Sequence, residues 1–450
     1  MRRMLAFAFA VIILGPARAW AQGDAISTAP PNLVIANYNS TAVGPYGGLE
    51  GTAYVARIDD PAAAWFNPAG LARQGAPQIS GSAGVYQRTL IEPRGWTSGG
   101  GALQQLPNFV GFTFVPREGL TVGASSLSTN AWEQEIQAEQ FLPTGAGQQR
   151  FAYGADSSFS QRVAAVSFGY HRKGPWRVGG GFAISMMDLG LVQSVSDRLA
   201  DSSGLRSLLV TARASGSAFQ LRSQGGVQFD AGAWRFGGSV RTPGLRFYRS
   251  GIVTLDGVIS EPGSTGASLF DTDAKLEYHL PWEFQGGVAY STSRVELEFD
   301  LLGYTPIDAY ALLSSGNPVL IYTDNGPGMQ PSVTSRPFAG LTSASVGVVN
   351  VAAGGHWRVI EGRDFRVHAG VGSNRSPVAP AETIFNKVDL TAWSVGASGT
   401  FGKLQFSAGL NRQSGSANDV TVRNLLNGQT ITTPVNVRIA GFIYSLAYQF

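Results

Sequence analysis

Cysteine is absent from the 450-residue sequence. That excludes a disulfide framework, a thiolate nucleophile and a cysteine-ligated zinc site. Charge is scarce: 14% of residues are Asp, Glu, Lys or Arg, where a soluble domain carries about a quarter. An ordinary soluble enzyme does not have such a surface. Long apolar runs are also missing. Nothing after Gln22 supplies the ~18 to 20 uninterrupted apolar residues that a membrane-spanning helix needs. Motifs of catalysis are missing too: no Gly-x-Ser-x-Gly elbow, no phosphate-cradling Gly loop opening a helix, and no metal-ligand spacing among His171, His279, His356 and His368. The expectation is a protein that is not an enzyme, with no cofactor and no metal.

What is present is glycine, 58 residues, together with 44% hydrophobic residues and 11% aromatics. That apolar content is far too high for a disordered chain. At the start, Arg2 and Arg3 precede an apolar run from Leu5 to Gly15, then Pro16 and the small-x-small site Ala19, Trp20, Ala21. Residues 1–21 therefore read as a secretory signal cleaved before Gln22, its apolar run being too short to span a bilayer. The segment removes Arg2, Arg3 and Arg18 and no acid, so the formal charge of +3 disappears with it. No basic stripe remains to attract nucleic acid.

The rest of the chain repeats a period-two alternation, the mark of a strand with one apolar face. Val295, Leu297, Phe299 and Leu301 alternate with Glu296, Glu298 and Asp300; Trp176, Val178, Phe182, Ile184 and Met186 alternate with Arg177, Gly179, Gly181, Ala183 and Ser185. Fourteen such segments lie near 78–87, 107–115, 120–128, 158–171, 176–188, 217–230, 233–249, 277–291, 294–305, 344–359, 364–376, 388–401, 403–413 and 435–450. Tight turns such as Pro116 to Gly119, Ala231 to Gly232 and Gly402 alternate with connections of about ten to nearly forty residues. Short turns on one side and long loops on the other predict an all-β fold, a 14-stranded antiparallel transmembrane barrel over 78–450. Ten tilted residues rise roughly 25 Å, the height of a barrel's apolar band. Trp176, Trp234 and Trp357 sit beside tight turns, where an aromatic girdle belongs. The ending Tyr444, Leu446, Tyr448, Phe450 resembles the last strand of bacterial outer-membrane proteins, which implies recognition of Phe450 by the assembly machinery.

The stretch 22–77 ahead of the barrel contains Gly44, Gly47, Gly48 and Gly51, then Tyr54 to Pro61 with Asp59 and Asp60, then Phe66, Asn67, Pro68, Ala69, Gly70, Leu71. Taken alone, Asn-Pro-Ala-Gly is a generic turn. The whole stretch resembles the amino-terminal hatch of the FadL/TodX-type transporters of long-chain fatty acids and aromatic hydrocarbons. In that family a Gly-rich stretch and an Asp-containing, Ala-rich stretch lead into Asn-Pro-Ala-Gly-Leu. Arg241-Thr242-Pro243, Leu280-Pro281-Trp282 and Ser376-Pro377-Val378 continue the resemblance along the barrel.

The resemblance implies a lumen plugged by a hatch, a landing groove for hydrophobic ligand among the extracellular loops, and lateral exit through a gap in the wall into outer-membrane lipid. It assigns hatch gating to Asn67, Pro68, Ala69 and Gly70 and places the wall gap on the third strand, where Gly123 permits a bulge. Apolar residues that interrupt polar loops, Leu199, Leu205, Leu208, Leu209, Leu255 and Ile259, are the candidates for the groove. Asp59 and Asp60 receive no gating role, with Arg57 as a possible partner. The expected partners are a hydrophobic small molecule, outer-membrane lipid and the assembly machinery, and the expected location is the outer membrane of a Gram-negative cell. A porin for polar solutes and a surface barrel that binds partners through its loops fit the alternation as well.

Overall fold

The computed structural model describes residues 35, 37–38, 43–93, 103–144, 147–201, 204–260, 265–326, 328–338, 340–360, 364–380, 385–423 and 430–450. The signal at 1–21 lies outside the described residues, as does the first part of the expected hatch.

Continuous barrel strands come first: β1 (Gln78–Pro93), β2 (Leu103–Arg117), β3 (Leu120–Thr144), β4 (Gly147–Tyr170), β5 (Trp176–Asp201) and β6 (Gly204–Ala231). Interrupted ones follow. β7 (Trp234–Arg241) and β8 (Leu245–Ser260) both pair with β6 and are two halves of one strand. β9 (Thr265–Leu276) with β10 (Glu283–Ser291), and β11 (Val295–Tyr304) with β12 (Ile307–Ser314), are two more. A hairpin of β13 (Val319–Thr323) and β14 (Ser332–Arg336) leaves the barrel wall, pairing with β9. β15 (Leu341–Ser345) and β16 (Val348–Arg358) form the last split strand, beside β12 and β11. β17 (Phe365–Asn374), β18 (Leu390–Phe401), β19 (Leu404–Arg423) and β20 (Thr430–Gln449) complete the circuit, and β20 pairs with β1 from Gln449↔Gln78 to Val435↔Pro93. The result is a closed antiparallel barrel of 14 strands, each matching one alternating segment of the sequence.

Alternation decides which face meets lipid. On β5, Phe182 and Ile184 point outward while Gly181, Ala183 and Ser185 face the lumen; on β11, Leu297, Phe299 and Leu301 point outward and Glu298 and Asp300 are buried inside. Phe182 is 61% exposed and Phe112 57%, which in a closed barrel is a lipid-facing surface. Closure removes the two terminal edges that an open sheet would expose to hydrocarbon. No described helix is long and apolar enough to cross a membrane; the strands do so. The tight turns expected from the sequence sit at one end, with Gly119 (φ 77°) and Gly232 (φ 66°) supplying the left-handed backbone two of them need. Trp176, Trp234 and Trp357 are exposed beside those turns, and the Phe450 N–H donates to Pro77 O at 3.0 Å, closing the carboxyl terminus onto the same end. That end is called the lower end below.

At the other end the expected boundaries were too short. β3, β4, β5 and β6 run for 25, 24, 26 and 28 residues, so much of the expected loop sequence is strand. Twenty-eight residues climb roughly 70 Å along a tilted strand, far beyond an apolar band of about 25 Å. Above that band neither face is required to be apolar, so the alternation fades although backbone pairing continues.

Candidate functional site

Residues 43–77 fill the lower half of the lumen. They comprise a 3₁₀ turn at Gly47–Leu49, the short helix α1 (Ala63–Phe66) and a 3₁₀ segment at Pro68–Arg73. Ile58, Trp65, Phe66 and Leu71 pack with the inward-facing Phe109, Leu127, Val163 and Ala165 of the wall. The wall receives this segment on bare backbone. A Cβ added to Gly226 would lie 2.1 Å from Asn67 Oδ1, and one on Gly179 would lie 2.3 Å from the Pro68 carbonyl carbon. Much of the glycine surplus thus serves close approach between segment and wall.

Asn67-Pro68-Ala69-Gly70 is an anchor point. Asn67 is fully buried; its Nδ2 donates to Val55 O at 2.9 Å and to Val227 O of β6 at 3.1 Å, and its Oδ1 accepts from the Ala69 N–H at 3.2 Å. The asparagine therefore caps the 3₁₀ segment and ties it both to its own chain and to the barrel. Pro68 starts that segment without needing a donor. Gly70 passes so near Ile58 that a Cβ would lie 2.3 Å from its carbonyl oxygen. At the far end of the segment, Arg73 pairs with Asp230, which Arg177 also holds.

A second set of contacts joins 50–57 to β11, β16 and β17. The Tyr54 and Val55 N–H groups donate to Asp300 Oδ2 at 2.7 and 3.1 Å, and the Ala56 N–H donates to Glu298 Oε1 at 2.6 Å. Arg57 donates through Nε to Glu298 Oε2 at 2.8 Å and through Nη2 to Glu50 and to Ala53 O. Glu50 Oε1 also meets His356 Nδ1 at 3.0 Å and His368 Nδ1 at 2.6 Å. Burial works to raise the Glu50 carboxyl, but Arg57 and the two histidines outweigh it and hold it below the usual range. Arg57 thus pairs with Glu50 and Glu298 rather than with Asp59 or Asp60. Asp60 accepts the Ala62 N–H at 2.7 Å, and burial, then the charge of Asp59, pushes its carboxyl up to about 8.

The lower and upper halves meet at Glu283. Arg222 and Arg241 both donate to its carboxylate; Arg222 also donates to Thr242 O at 2.8 Å and to Pro281 O at 3.0 Å, bridging the two strand breaks. Arg241 lies 3.8 Å over the Trp65 ring and donates to Trp65 O at 2.8 Å. Beside it is a cavity of about 40 Å³ lined in part by Tyr38, Trp65, Phe66, Tyr304 and Glu283. A pocket of roughly 150 Å³ accommodates benzene, so this cavity is too small for even that ring unless its lining moves.

Above this boundary an apolar cluster fills much of the lumen, with the buried Asn37, Asn374 and Gln413 beside it. Phe159, Leu189, Val253, Leu255, Leu269, Leu312, Leu313 and Ile439 from the wall pack with Ile35, and with Phe385 and Val388 from the β17–β18 connection folded inward. At the same boundary the wall changes. Among the described residues the β2–β3 ladder runs from Arg117↔Leu120 to Phe109↔Leu127 and stops, β3 bulges between Ser128 and Asn130, and β1 is irregular between Val85 and Arg88. Inside the split stand the buried Asn108 and Asn130, the latter donating to Asn37 O at 3.1 Å.

The groove candidates are strand residues, not loop residues. Leu199 lies on β5 opposite Arg206, Leu205 on β6 opposite Ala200, and Ile259 on β8 opposite Leu208. Leu208 and Leu255 are buried and Leu209 is exposed. Gly123 belongs to an intact stretch of wall, paired with Thr113 and Ser167 and facing Leu71. The interruption on β3 is higher up. Sequence reading missed Glu50, His356, His368, Arg222 and Glu283, because their grouping depends on barrel register. His356 and His368 are 12 positions apart yet directly opposite on β16 and β17. Arg241 was noted in its Arg-Thr-Pro motif, without its partners.

No protein-family model matches the sequence, and no curated protein matches it. Solved structures do. A FadL homologue of Pseudomonas aeruginosa aligns at 13% identity and TM-score 0.59 over 92% of this chain and 100% of its own. The toluene transporter TodX of Pseudomonas putida gives 13% and 0.55 over 92% and 99%, and the toluene transporter TbuX of Ralstonia pickettii 13% and 0.50 over 91% and 98%. At this identity the likeness is one of fold: the chain is a 14-stranded transmembrane barrel built like that FadL homologue and TodX.

Proposed function

We propose that the chain is an outer-membrane channel for hydrophobic small molecules, long-chain fatty acids or aromatic hydrocarbons, in a Gram-negative cell. One observation carries this reading: an apolar upper lumen rests on an ion-pinned segment at the height where the β2–β3 ladder stops. Cargo enters among the upper strand extensions near Leu208, Leu209 and Leu255, with Leu199, Leu205 and Ile259 on the same strands, and displaces the inward-folded residues of the upper lumen. Residues 22–77 are the hatch, and Asn67, Pro68, Ala69 and Gly70 anchor its movement. Exit is lateral, between β2 and β3 above Phe109 and Leu127, higher on the strand than Gly123. Each CH₂ kept out of water is worth about 0.8 kcal/mol, so release into lipid costs less than release into the periplasm. The names of the similar structures, a FadL homologue and two toluene transporters, agree with this cargo class. Export by residues 1–21 and assembly through Phe450 belong to the same reading.

Extraction of the purified protein followed by mass spectrometry tests it. Wild type is expected to retain a stoichiometric hydrophobe, and Leu255→Glu to lose it. A barrel without bound hydrophobe that gives steady large conductance in planar bilayers would be a porin instead.

A further inference from the structure

β16 and β17 pair so that His356 stands opposite His368 and, two residues farther up, Gly354 stands opposite Gly370. All four positions face the lumen. The sequence carries this as Gly-x-His on one strand and His-x-Gly on the next. The glycines leave the wall bare: a Cβ on Gly354 would lie 2.0 Å from Glu50 O, and one on Gly370 2.0 Å from the Glu50 carbonyl carbon. Glu50 therefore lies against the wall, and its Oε1 reaches both imidazoles, 3.0 Å from His356 Nδ1 and 2.6 Å from His368 Nδ1.

Each of the three groups is steered by another contact. Arg57 holds the second oxygen of Glu50. His368 Nε2 lies 2.7 Å from Ser398 Oγ, and His356 Nε2 faces the Glu296 carboxylate at 4.0 Å. Two imidazole nitrogens and a carboxylate oxygen, oriented in this way, are the donor set of a zinc-like dication. Local charge points the same way. Glu50 and Glu298 are buried carboxylates that share the guanidinium of Arg57.

We propose that Glu50, His356 and His368 form a binding site for a zinc-like dication that clamps the lumenal segment to the barrel wall. The three donor atoms already lie within 4.8 Å of one another; tetrahedral bonds of about 2.0 to 2.2 Å separate donors by roughly 3.3 Å, so the closest pair opens slightly as the ion enters. Arg57 Nη1, 3.3 Å from His356 Nδ1, gives up that contact and keeps its two carboxylates. The site is independent of which cargo the barrel carries.

The test uses the full-length protein in detergent, stripped with a chelator, exposed to zinc sulfate and desalted. One zinc per chain is expected by elemental analysis, and Co²⁺ in its place should show the visible absorption of a tetrahedral site. His356→Ala and His368→Ala should each weaken zinc binding at least ~100-fold, and Ser398→Ala, which keeps all three donors, ~10- to 100-fold. Heat-modifiable gel migration verifies that each variant is a folded barrel. A wild type holding no more zinc than the folded double variant that combines His356→Ala with His368→Ala, or that double variant binding zinc undiminished, overturns the proposal.

Discussion

The lower and upper halves of one lumen are filled by opposite kinds of matter. Below, residues 43–77 are fixed by directional bonds: Asn67 to two carbonyls, four donors of residues 54–57 to Glu298 and Asp300, and Arg241 to Glu283 and Trp65. Above, aliphatic and aromatic side chains from wall and connections form the larger apolar cluster, with directional bonds such as Asn37 to Asn374 O and Val388 O at its margin. Dispersion and hydrophobic contact are non-directional, so one apolar group can replace another in such contacts. A buried ion pair has no equivalent substitute, since losing one partner leaves an uncompensated charge. The contacts of the upper half are exchangeable, and those of the lower half fix its position.

The largest expected break in this contrast comes from Arg57→Met. It leaves Glu50 and Glu298 buried without their cation and should weaken docking of the lumenal segment by about 3 to 5 kcal/mol. Hydrogen exchange should then rise across 43–77 while strands β1 to β20 stay protected. Leu255→Ala, in the upper half, should cost about 2 to 5 kcal/mol of barrel stability yet leave exchange in 43–77 unchanged. If Leu255→Ala also released that segment, the two halves would be one cooperative unit. Gly226→Ala is smaller, about 1 to 3 kcal/mol, because its Cβ meets Asn67 at 2.1 Å; limited proteolysis near Asn67 reads it.

A pH dependence probes the same segment. The Asp60 carboxyl is raised from 3.8 to about 8 by burial and by Asp59, with Glu50 adding in the same direction and the Ala62 amide opposing. A carboxyl raised on docking favours the docked state while it is protonated. Its contribution is whole below about pH 4 and is lost as pH rises through about 8. The denaturant midpoint for release of 43–77 should fall over that window in wild type and fall less in Asp60→Asn, where Asp59, also raised by burial, still titrates.

The barrel was legible because lipid on one side and lumen on the other force alternation on every strand. Val295 to Leu301 announced both the outward face and the inward acids. Strand ends at the upper side were not legible, since Glu133 or Ser194 on a strand above the membrane looks like loop sequence. Asn67 to Gly70 could be found as a turn, but its grip on Val227 belongs to β6, 160 residues away. The same applies to Glu50: its histidine partners lie more than 300 positions on, and register alone places them. Gly123 drew attention to β3, but it lies in paired wall; the β2–β3 ladder ends after Leu127, where no glycine signals it.

The absence of cysteine makes the lateral route directly testable. Asn108→Cys with Ser128→Cys places one thiol on each side of the split, just beyond the last β2–β3 pair. Uptake of a radiolabelled long-chain fatty acid or toluene by cells carrying this double variant should fall when the pair is oxidised and recover on reduction. The same oxidant should leave a Cys-free wild type unaffected. Unchanged uptake in cells whose pair is shown to be cross-linked would contradict lateral exit between β2 and β3.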